Sequence, residues 1–559
     1  MDFRWIYLYS IPQNLDFATP FGIISFLYEY ILPKMLRFVD FAEKECAMNA
    51  LKRFFLNASI LTLTALLMRT VSVSFNVFLS DRVGEEGMGL YSLVMSVYSF
   101  AVTLACSGVG FASTRLTAEA MGRGSDRAVR DALWRCVWYS LSFGLAASVL
   151  LYVSAPFLGT HFLGDVRTVP SLRLLAPALP LLSLSSVFGG YFNAVRRSAR
   201  SAASSLSEQL VCVLSTVLLL TLFDDGGGLE ASCLRVAAGV LIGEAVSFVL
   251  SFLLLLHDLR KHNTGRGGKD KNTGRRLFSI ALPLAFGSYV RMGLVSLEHT
   301  LIPKMLKKHG MSGEEALAGY GLVHGMVLPV VLFPSAFLSS FTSLLIPELA
   351  ERRMRGETES INRIAAKALR TSLFFSVGAS ALVYCFAYEL SILLYSSPDA
   401  FPYIRALALL IPIMYTDTTT DCLLKGLDQQ MSSMGINIFD ALLSVAAVCI
   451  LPPALGLEGY VIAIFAGEIV NFALSLSRLL QACTPALGLR DFFAPIPAAS
   501  LALCGVTILF DRLGLTAFSS LPNVVLRMSL AALLYLLLIL APKYNFWANK
   551  TALKTDKAK

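Results

Sequence analysis

The chain has 559 residues, of which 55% are hydrophobic and only 15% charged, with a net charge of +9 and a mean hydropathy of +0.65. A soluble chain of this length would hold about three or four domains, but here apolar stretches of 18 or more residues recur from end to end, each long enough to cross roughly 30 Å of hydrocarbon. That pattern excludes a soluble enzyme or a nucleic-acid binder and leaves an all-α polytopic membrane protein.

Residues 1–47 carry an apolar stretch from Phe17 to Pro33, bracketed by Pro20 and Pro33 and interrupted by Glu29, with no small-residue cleavage site after it. The segment from Met48, MNALKRFFLNAS, has the form of a natural start. Residues 1–47 are therefore expected to be an extension, either preceding a mis-called start or lying in the membrane interface.

Apolar windows bounded by charges or turn residues predict fourteen helices, at approximately 55–80, 87–110, 132–156, 170–193, 203–223, 230–256, 277–302, 317–347, 364–387, 400–424, 431–453, 458–478, 492–511 and 522–541. With the start of the first helix placed inside, the alternating loops on that side hold 31 Lys and Arg and the opposite side 8. Cations favour the cytoplasmic side, so both termini are expected in the cytoplasm. The ten cysteines lie mostly inside apolar stretches, without CxxC or metal-like spacing, and read as buried thiols.

A shift of 232 positions lays one half of the chain on the other. Arg173 to Pro180 falls on Arg405 to Pro412, Glu208 on Asp440, and Ala118-Glu119 on Ala350-Glu351. An insertion of ten residues near His309 to Ala318 then aligns Arg69 with Arg291. The expected organisation is an N-lobe of helices 1–6 (48–257), a basic cytoplasmic linker (258–276), a C-lobe of helices 7–12 (277–480), helices 13–14 (481–545) and a basic tail (546–559). A repeat of six helices is even, so both copies share one orientation and are related by a pseudo-two-fold along the membrane normal. Transporters built from such repeats place their substrate at the repeat interface near mid-membrane. The linker contains NTGR twice and is read as a flexible tether, with anionic lipid headgroups as the alternative ligand.

An ionisable group at the bilayer centre costs roughly 2.5–3.5 kcal/mol on insertion scales, so each one inside a span is a candidate. They are Arg69, Glu208, Arg291, Glu298, His299, Asp417, Asp421, Lys425 and Asp440, with Arg115 and Glu348 ending the second helix of each repeat. Arg69 and Arg291 occupy equivalent places, and two guanidiniums suit the bidentate acceptor geometry of a pyrophosphate. The other reading is internal pairing, of Arg291 with Glu298 or with an acid of the tenth helix. Arg69, Arg291, Arg115 and Glu298 form the candidate substrate-binding set. Asp417, Asp421 and Lys425 stand one turn apart, which makes them either an ion-coupling site for a cation or proton, or a self-neutralising ladder. Glu208 and Asp440 are expected to cap or pack loops. No P-loop, other enzyme signature or cofactor motif occurs.

Several short segments resemble one family: Gly87-Met-Gly-Leu-Tyr91, Gly108-Val-Gly-Phe-Ala112 running into Arg115-Leu-Thr-Ala-Glu119, Arg173-Leu-Leu-Ala-Pro177, Gly189-Gly-Tyr-Phe192, Ser205 to Gln209, Leu301-Ile-Pro303, Tyr320-Gly-Leu322 and Leu345-Ile-Pro-Glu348. In order and at this spacing, from Met48 to about Asn545, the chain resembles the stage V sporulation protein B and polysaccharide-export family. That family belongs to the superfamily of lipid II flippases and multidrug/toxin extrusion proteins. The resemblance implies two six-helix lobes plus two helices around a V-shaped cavity in a bacterial cytoplasmic membrane. It also implies a polyprenyl-pyrophosphate-linked saccharide as substrate, moved from the inner to the outer leaflet, with membrane lipids and other cell-wall synthesis proteins as partners. Arg69 matches a first-helix arginine of the flippases, whereas a second such arginine has no counterpart in Phe75 to Ser80 (FNVFLS). The competing expectations are a cation-coupled drug exporter, a glycan polymerase or ligase, and a non-transporting component of an envelope glycan assembly complex.

Overall fold

A computed structural model describes residues 50–122, 126–195, 197–222, 228–261, 273–343, 345–486, 488, 491, 494–512 and 521–540. The expectations for residues 1–47, for most of the basic linker and for the tail fall outside these.

Every regular element among the described residues is helical. That follows from the solvent: hydrocarbon offers no hydrogen-bond partner, so each backbone amide must be satisfied within its own segment. In chain order the helices are α1 (Ala50–Cys106), α2 (Val109–Gly122), α3 (Asp126–Phe157), α4 (Val169–Leu175), α5 (Ala178–Ala194), α6 (Ser198–Leu222), α7 (Gly228–Lys261) and α8 (Thr273–Lys308). They continue with α9 (Gly313–Tyr320), α10 (Leu328–Leu332), α11 (Ser335–Ser343), α12 (Leu345–Met354), α13 (Thr358–Cys385), α14 (Ala387–Tyr395), α15 (Phe401–Ala408), α16 (Ile411–Gly426), α17 (Gln430–Ala482), α18 (Pro495–Arg512) and α19 (Leu521–Leu540). Eight helical stretches are long and apolar enough to cross a bilayer, nine when the bent pair α4–α5 counts as one, and two shorter apolar helices follow near the carboxyl end. The two longest helices, α1 and α17, are each two helices joined at a glycine with positive φ, Gly84 (+67°) and Gly456 (+63°), where other residues would be strained.

Three expected helices are interrupted. The stretch predicted at 170–193 bends by 45° at Ala176–Pro177, and the stretch at 400–424 breaks at Leu409–Leu410. Pro180 and Pro412 lie just beyond the two breaks, and a proline removes one backbone donor and crowds the carbonyl four residues earlier. The stretch at 317–347 passes through a π-helical segment (Gly321–Val327) and a break at Phe333–Pro334.

The surface inverts the usual burial rule. Along α3, Trp134, Trp138, Leu145, Val149, Val153 and Phe157 form one exposed stripe, with Val153 71% exposed, while Cys136, Ser140, Ala147, Leu151 and Ala155 on the other side are buried. A soluble protein rarely leaves an apolar patch of more than a few hundred Å² open to water. A helix-long apolar stripe is what a lipid-facing surface requires, and the chain is a multi-pass membrane protein.

The chain divides into two compact units, one made of the described residues up to Phe78 with Val97–Tyr289, the other of Leu79–Ser96 with the described residues from Val290 onward. In the first, α2, α3 and α5 share a core of Leu116, Leu133, Tyr139, Phe188 and Phe192, tied by Ser113 Oγ donating to the Val187 carbonyl at 2.9 Å. Beside them α6 packs on α7 across a G-x-x-x-G spacing. A Cβ on Gly239 would lie 1.9 Å from Thr216 Oγ1, and one on Gly243 would lie 2.8 Å from Cys212 Cβ and 2.9 Å from the Glu208 carbonyl. Small residues at that spacing let two membrane helices approach backbone to backbone.

In the second unit α16 packs between α13 and α17, and the fully buried Tyr415 donates to the Val331 carbonyl at 2.7 Å. The helices α18 and α19 join through α13, where Tyr535 donates to the Phe374 carbonyl at 2.6 Å. Two contacts recur in both units at the offset of 232. Ser183 donates to the Ser140 carbonyl at 3.2 Å, and at the equivalent two positions the direction is reversed, Ser372 donating to the Tyr415 carbonyl at 3.1 Å. Arg173 lies over the Tyr152 ring at 5.5 Å, and Arg405 over the Tyr384 ring at 4.6 Å.

Two outcomes follow. Gly243→Ala should lower thermal stability in detergent by about 1–3 kcal/mol through overpacking. Gly435→Ala, whose Cβ meets nothing within 4 Å, should leave the melting temperature unchanged or raise it; equal losses in the two variants would refute the close α6–α7 approach. Leu145→Asp in the exposed stripe should raise the apparent insertion free energy of α3 by roughly 2.5–3.5 kcal/mol, measured by glycosylation mapping of translocon insertion.

Candidate functional site

Mid-helix charge concentrates in the second unit, around α8, α16 and α17. Arg291 stands at the midpoint of the 36-residue α8 with its side chain exposed. Glu298 lies seven residues on, two turns along the same face. Asp417 comes from α16, Asp440 from the first half of α17 and Glu468 from its second half.

These groups act on one another. The Arg291 charge reaches both Asp417 and Asp440, Glu298 interacts with Asp440, and Glu468 interacts with Asp417, Asp440 and Glu298. Asn471 Nδ2 donates to Asp417 Oδ2 at 3.0 Å. The other oxygen of Asp417, and Oδ1 of Asp440, are buried and make no hydrogen bond among the described residues. Arg291 thus serves two of the four carboxylates, Asp417 and Asp440, and Asp417 also has Asn471 and the Ser475 hydroxyl beside it. At the far end of Glu298, His299 Nδ1 and the buried Tyr320 hydroxyl are 2.9 Å apart, and His324 stacks on the Tyr320 ring at 5.2 Å.

The column Asp417–Asp421–Lys425 divides. Lys425 Nζ pairs with Asp421 Oδ2 at 2.5 Å, and the Ser433 hydroxyl donates to the other Asp421 oxygen. Those two residues form the self-neutralising rung, while Asp417 turns to α17 and joins the acid cluster.

The other candidates sit elsewhere. Arg69 lies on α1, half-buried, and is engaged by neighbouring groups. Arg115 is exposed at 56% and pairs with Glu119 at 3.2 Å, one turn further along α2; Glu119 also receives Arg276. An exposed pair of that kind is worth about 0–1 kcal/mol.

Glu208 and Asp440 do not cap loops. Each is the eleventh residue of its helix, about three turns from the start. Glu208 Oε2 accepts a hydrogen bond from Ser247 of α7 at 3.3 Å, and its charge acts on Glu244, which stands at the midpoint of α7. Glu244 and Glu468 escaped the sequence reading, although a signal was present. Gly243-Glu-Ala-Val-Ser-Phe-Val-Leu-Ser251 and Gly467-Glu-Ile-Val-Asn-Phe-Ala-Leu-Ser475 share six of nine residues. Their offset is 224, so a gapless shift of 232 passes over them. In the second unit a Cβ on Gly467 would lie 3.5 Å from Asp440 Oδ1, just as Gly243 lies against Glu208.

Comparison with known proteins agrees with these observations. A family model described as polysaccharide biosynthesis protein matches residues 54–351, and one described as MatE matches residues 304–450. Stage V sporulation protein B of Bacillus subtilis (strain 168) is 23% identical over 461 residues, covering 81% of this chain and 88% of that protein. Lipid II flippase MurJ of the same organism is 23% identical over 401 residues, covering 66% and 72%. Among solved structures, a lipid II flippase MurJ in an inward closed conformation superposes with a TM-score of 0.66 at 12% identity, over 88% of this chain and 99% of that one. An inward-facing multidrug resistance MATE transporter gives 0.60 at 14% identity, over 76% and 98%. Matched by its model over more than half its length, the chain belongs to the polysaccharide biosynthesis protein family, on the all-helical fold shared by MurJ and the MATE transporters.

Proposed function

We propose that the protein is a flippase that carries a polyprenyl-pyrophosphate-linked saccharide from the inner to the outer leaflet of a bacterial cytoplasmic membrane. The observation that carries this reading is Arg291, an exposed guanidinium at the midpoint of a membrane-length helix. A charge at that depth is tolerated where it meets water or a partner, and a diphosphate is a fitting partner for a planar, five-donor fork. Similarity to lipid II flippase MurJ supports the same headgroup chemistry.

In this mechanism Arg69 and Arg291 take the phosphate oxygens while the isoprenoid tail stays in lipid. Arg115 and Glu298 complete the proposed substrate set, Arg115 where the headgroup enters and Glu298 beside Arg291. A headgroup on Arg291 draws that charge away from Asp417 and Asp440, which then need a cation or proton. Asp417, with Asp421 and Lys425 beside it, is the proposed coupling point. A counter-ion moving there through the field contributes roughly 2.3 kcal/mol per charge per 100 mV. No chemical step on the substrate is required. The proposed topology has fourteen crossings, two six-helix lobes plus two helices, and both termini in the cytoplasm.

The acid cluster favours a second reading, export of organic cations. Four mutually interacting carboxylates, only two of them offset by Arg291, would hold a lipophilic cation, and dye efflux from intact cells that is lost in Asp417→Asn would establish it.

The flippase is tested in vesicles containing a fluorescent polyprenyl-diphosphate saccharide, with outer-leaflet label quenched by reduction. Arg291→Ala and Arg69→Ala should each slow flipping at least tenfold, about 1.4 kcal/mol, and Arg291→Lys should retain part of the rate. Wild-type rates in both alanine variants would sink the proposal. For topology, a cysteine-free background carrying Lys308→Cys should react with a membrane-impermeant maleimide in intact cells, and Arg355→Cys only after permeabilisation; the reverse pattern would invert the assignment.

A further inference from the structure

The first unit holds a second acid site, apart from the cluster around Arg291. Glu244 is 5% exposed at the midpoint of α7, and its Oε2 makes no hydrogen bond among the described residues. Glu208 approaches from α6, brought close because Gly243 lets the α7 backbone reach the Glu208 carbonyl. From α1 comes Tyr98, 4% exposed, whose hydroxyl also makes no hydrogen bond among the described residues. Its electrostatic neighbours are Glu244, Glu208, Cys106 and Cys212. Two buried polar atoms without a hydrogen bond among the described residues, one of the carboxylate pair and one of α1, thus belong to the same cluster.

The groups beside the pair are thiols and hydroxyls. On α6 and α7 the neighbours are Cys212, Ser204, Ser247 and Ser251, with Ser204 Oγ 3.1 Å from Ser247 Oγ and 2.5 Å from Ser251 Oγ. Of the helices packed on α7, α5 carries no charged residue, and its Tyr191 donates to Asp258. The Arg173 of α4 is stacked on Tyr152. For Glu208 the leading influences are burial and the Ser247 hydroxyl, and for Glu244 burial and the Glu208 charge. The corresponding pair in the second unit, Asp440 and Glu468, differs on this point, since Arg291 acts on Asp440.

Two adjacent carboxylates in a medium of low dielectric cannot both ionise unless something offsets the charge. We propose that Glu208, Glu244 and Tyr98 form a proton-binding site in the first unit, in which one carboxyl carries a proton and the Tyr98 hydroxyl completes its hydrogen bonding. Uptake converts one carboxylate to a carboxylic acid and leaves the pair with a single negative charge. The site goes beyond the transport reading and does not depend on which headgroup is carried.

The test uses the full-length protein in nanodiscs and dicyclohexylcarbodiimide, an apolar reagent that modifies protonated buried carboxyls, with the modified residue mapped by mass spectrometry. Modification at Glu208 or Glu244 should be strong at acidic pH, fall at least tenfold as the pH is raised to alkaline values, and be unchanged by saturating sodium chloride at fixed pH. In Glu208→Gln the Glu244 profile should move to lower pH, because the neighbouring charge that holds the proton is gone. No modification at any pH, protection by sodium at constant pH, or an unmoved Glu244 profile would each overturn the proposal.

Discussion

Hydrocarbon sets the terms for every polar group in this chain, because it solvates neither backbone amides nor charges. The amides are satisfied by making every described regular element a helix. The charges are handled differently according to depth. Near the end of α7, Asp258 is 1% exposed but takes Arg197, Arg200 and the Tyr191 hydroxyl. Toward the helix midpoints compensation thins out: Arg291 acts on Asp417 and Asp440 in the second unit, and in the first Glu208 and Glu244 stand among thiols and hydroxyls. Each such residue carries an insertion cost of roughly 2.5–3.5 kcal/mol at the bilayer centre, far more than an exposed ion pair contributes.

Packing obeys the same solvent. Because lipid tails are as apolar as leucine, burial alone gives helices little reason to associate, and close backbone approach takes over. Gly239 and Gly243 bring α6 onto α7, and hydroxyls close the remaining gaps, as with Ser113 on the Val187 carbonyl and Ser372 on the Tyr415 carbonyl. The approach at Gly243 has a chemical consequence, since the residue before Glu244 determines how near Glu208 can come. The packing motif and the acid pair are one feature of the α6–α7 interface.

Much of this was legible in the sequence, for definable reasons. Hydrophobic runs longer than a bilayer is thick announced the membrane fold, and the offset of 232 anticipated that Arg173 and Arg405 occupy like positions, each over a tyrosine. The breaks before Pro180 and Pro412 were not anticipated, because an apolar window does not register a lost backbone donor. Glu244 and Glu468 were missed because the stretch separating Glu208 from Glu244 is eight residues longer than that separating Asp440 from Glu468. The column at Asp417, Asp421 and Lys425 could not be resolved by spacing, since all three share one face; only the partners on α17, Ser433 for Asp421 and Asn471 for Asp417, separate the closed rung from the open acid.

The two acid sites bear different relations to an anionic cargo. Asp417 and Asp440 interact with the guanidinium that the proposed diphosphate would use, so cargo and carboxylates compete for Arg291. Competition of that kind is thermodynamically reciprocal: whatever neutralises Asp417 and Asp440 strengthens anion binding at Arg291 by the same factor that the anion strengthens neutralisation. Glu208 and Glu244 are instead tied to each other and to the Ser247 hydroxyl. In the packing of α6 on α7 the Gly243 contact ties carboxylate spacing to helix spacing, so a change of charge on the pair acts on the packing of the two helices. Each unit thus holds an acid pair against a helix-packing glycine, and Arg291 acts on the pair of the second.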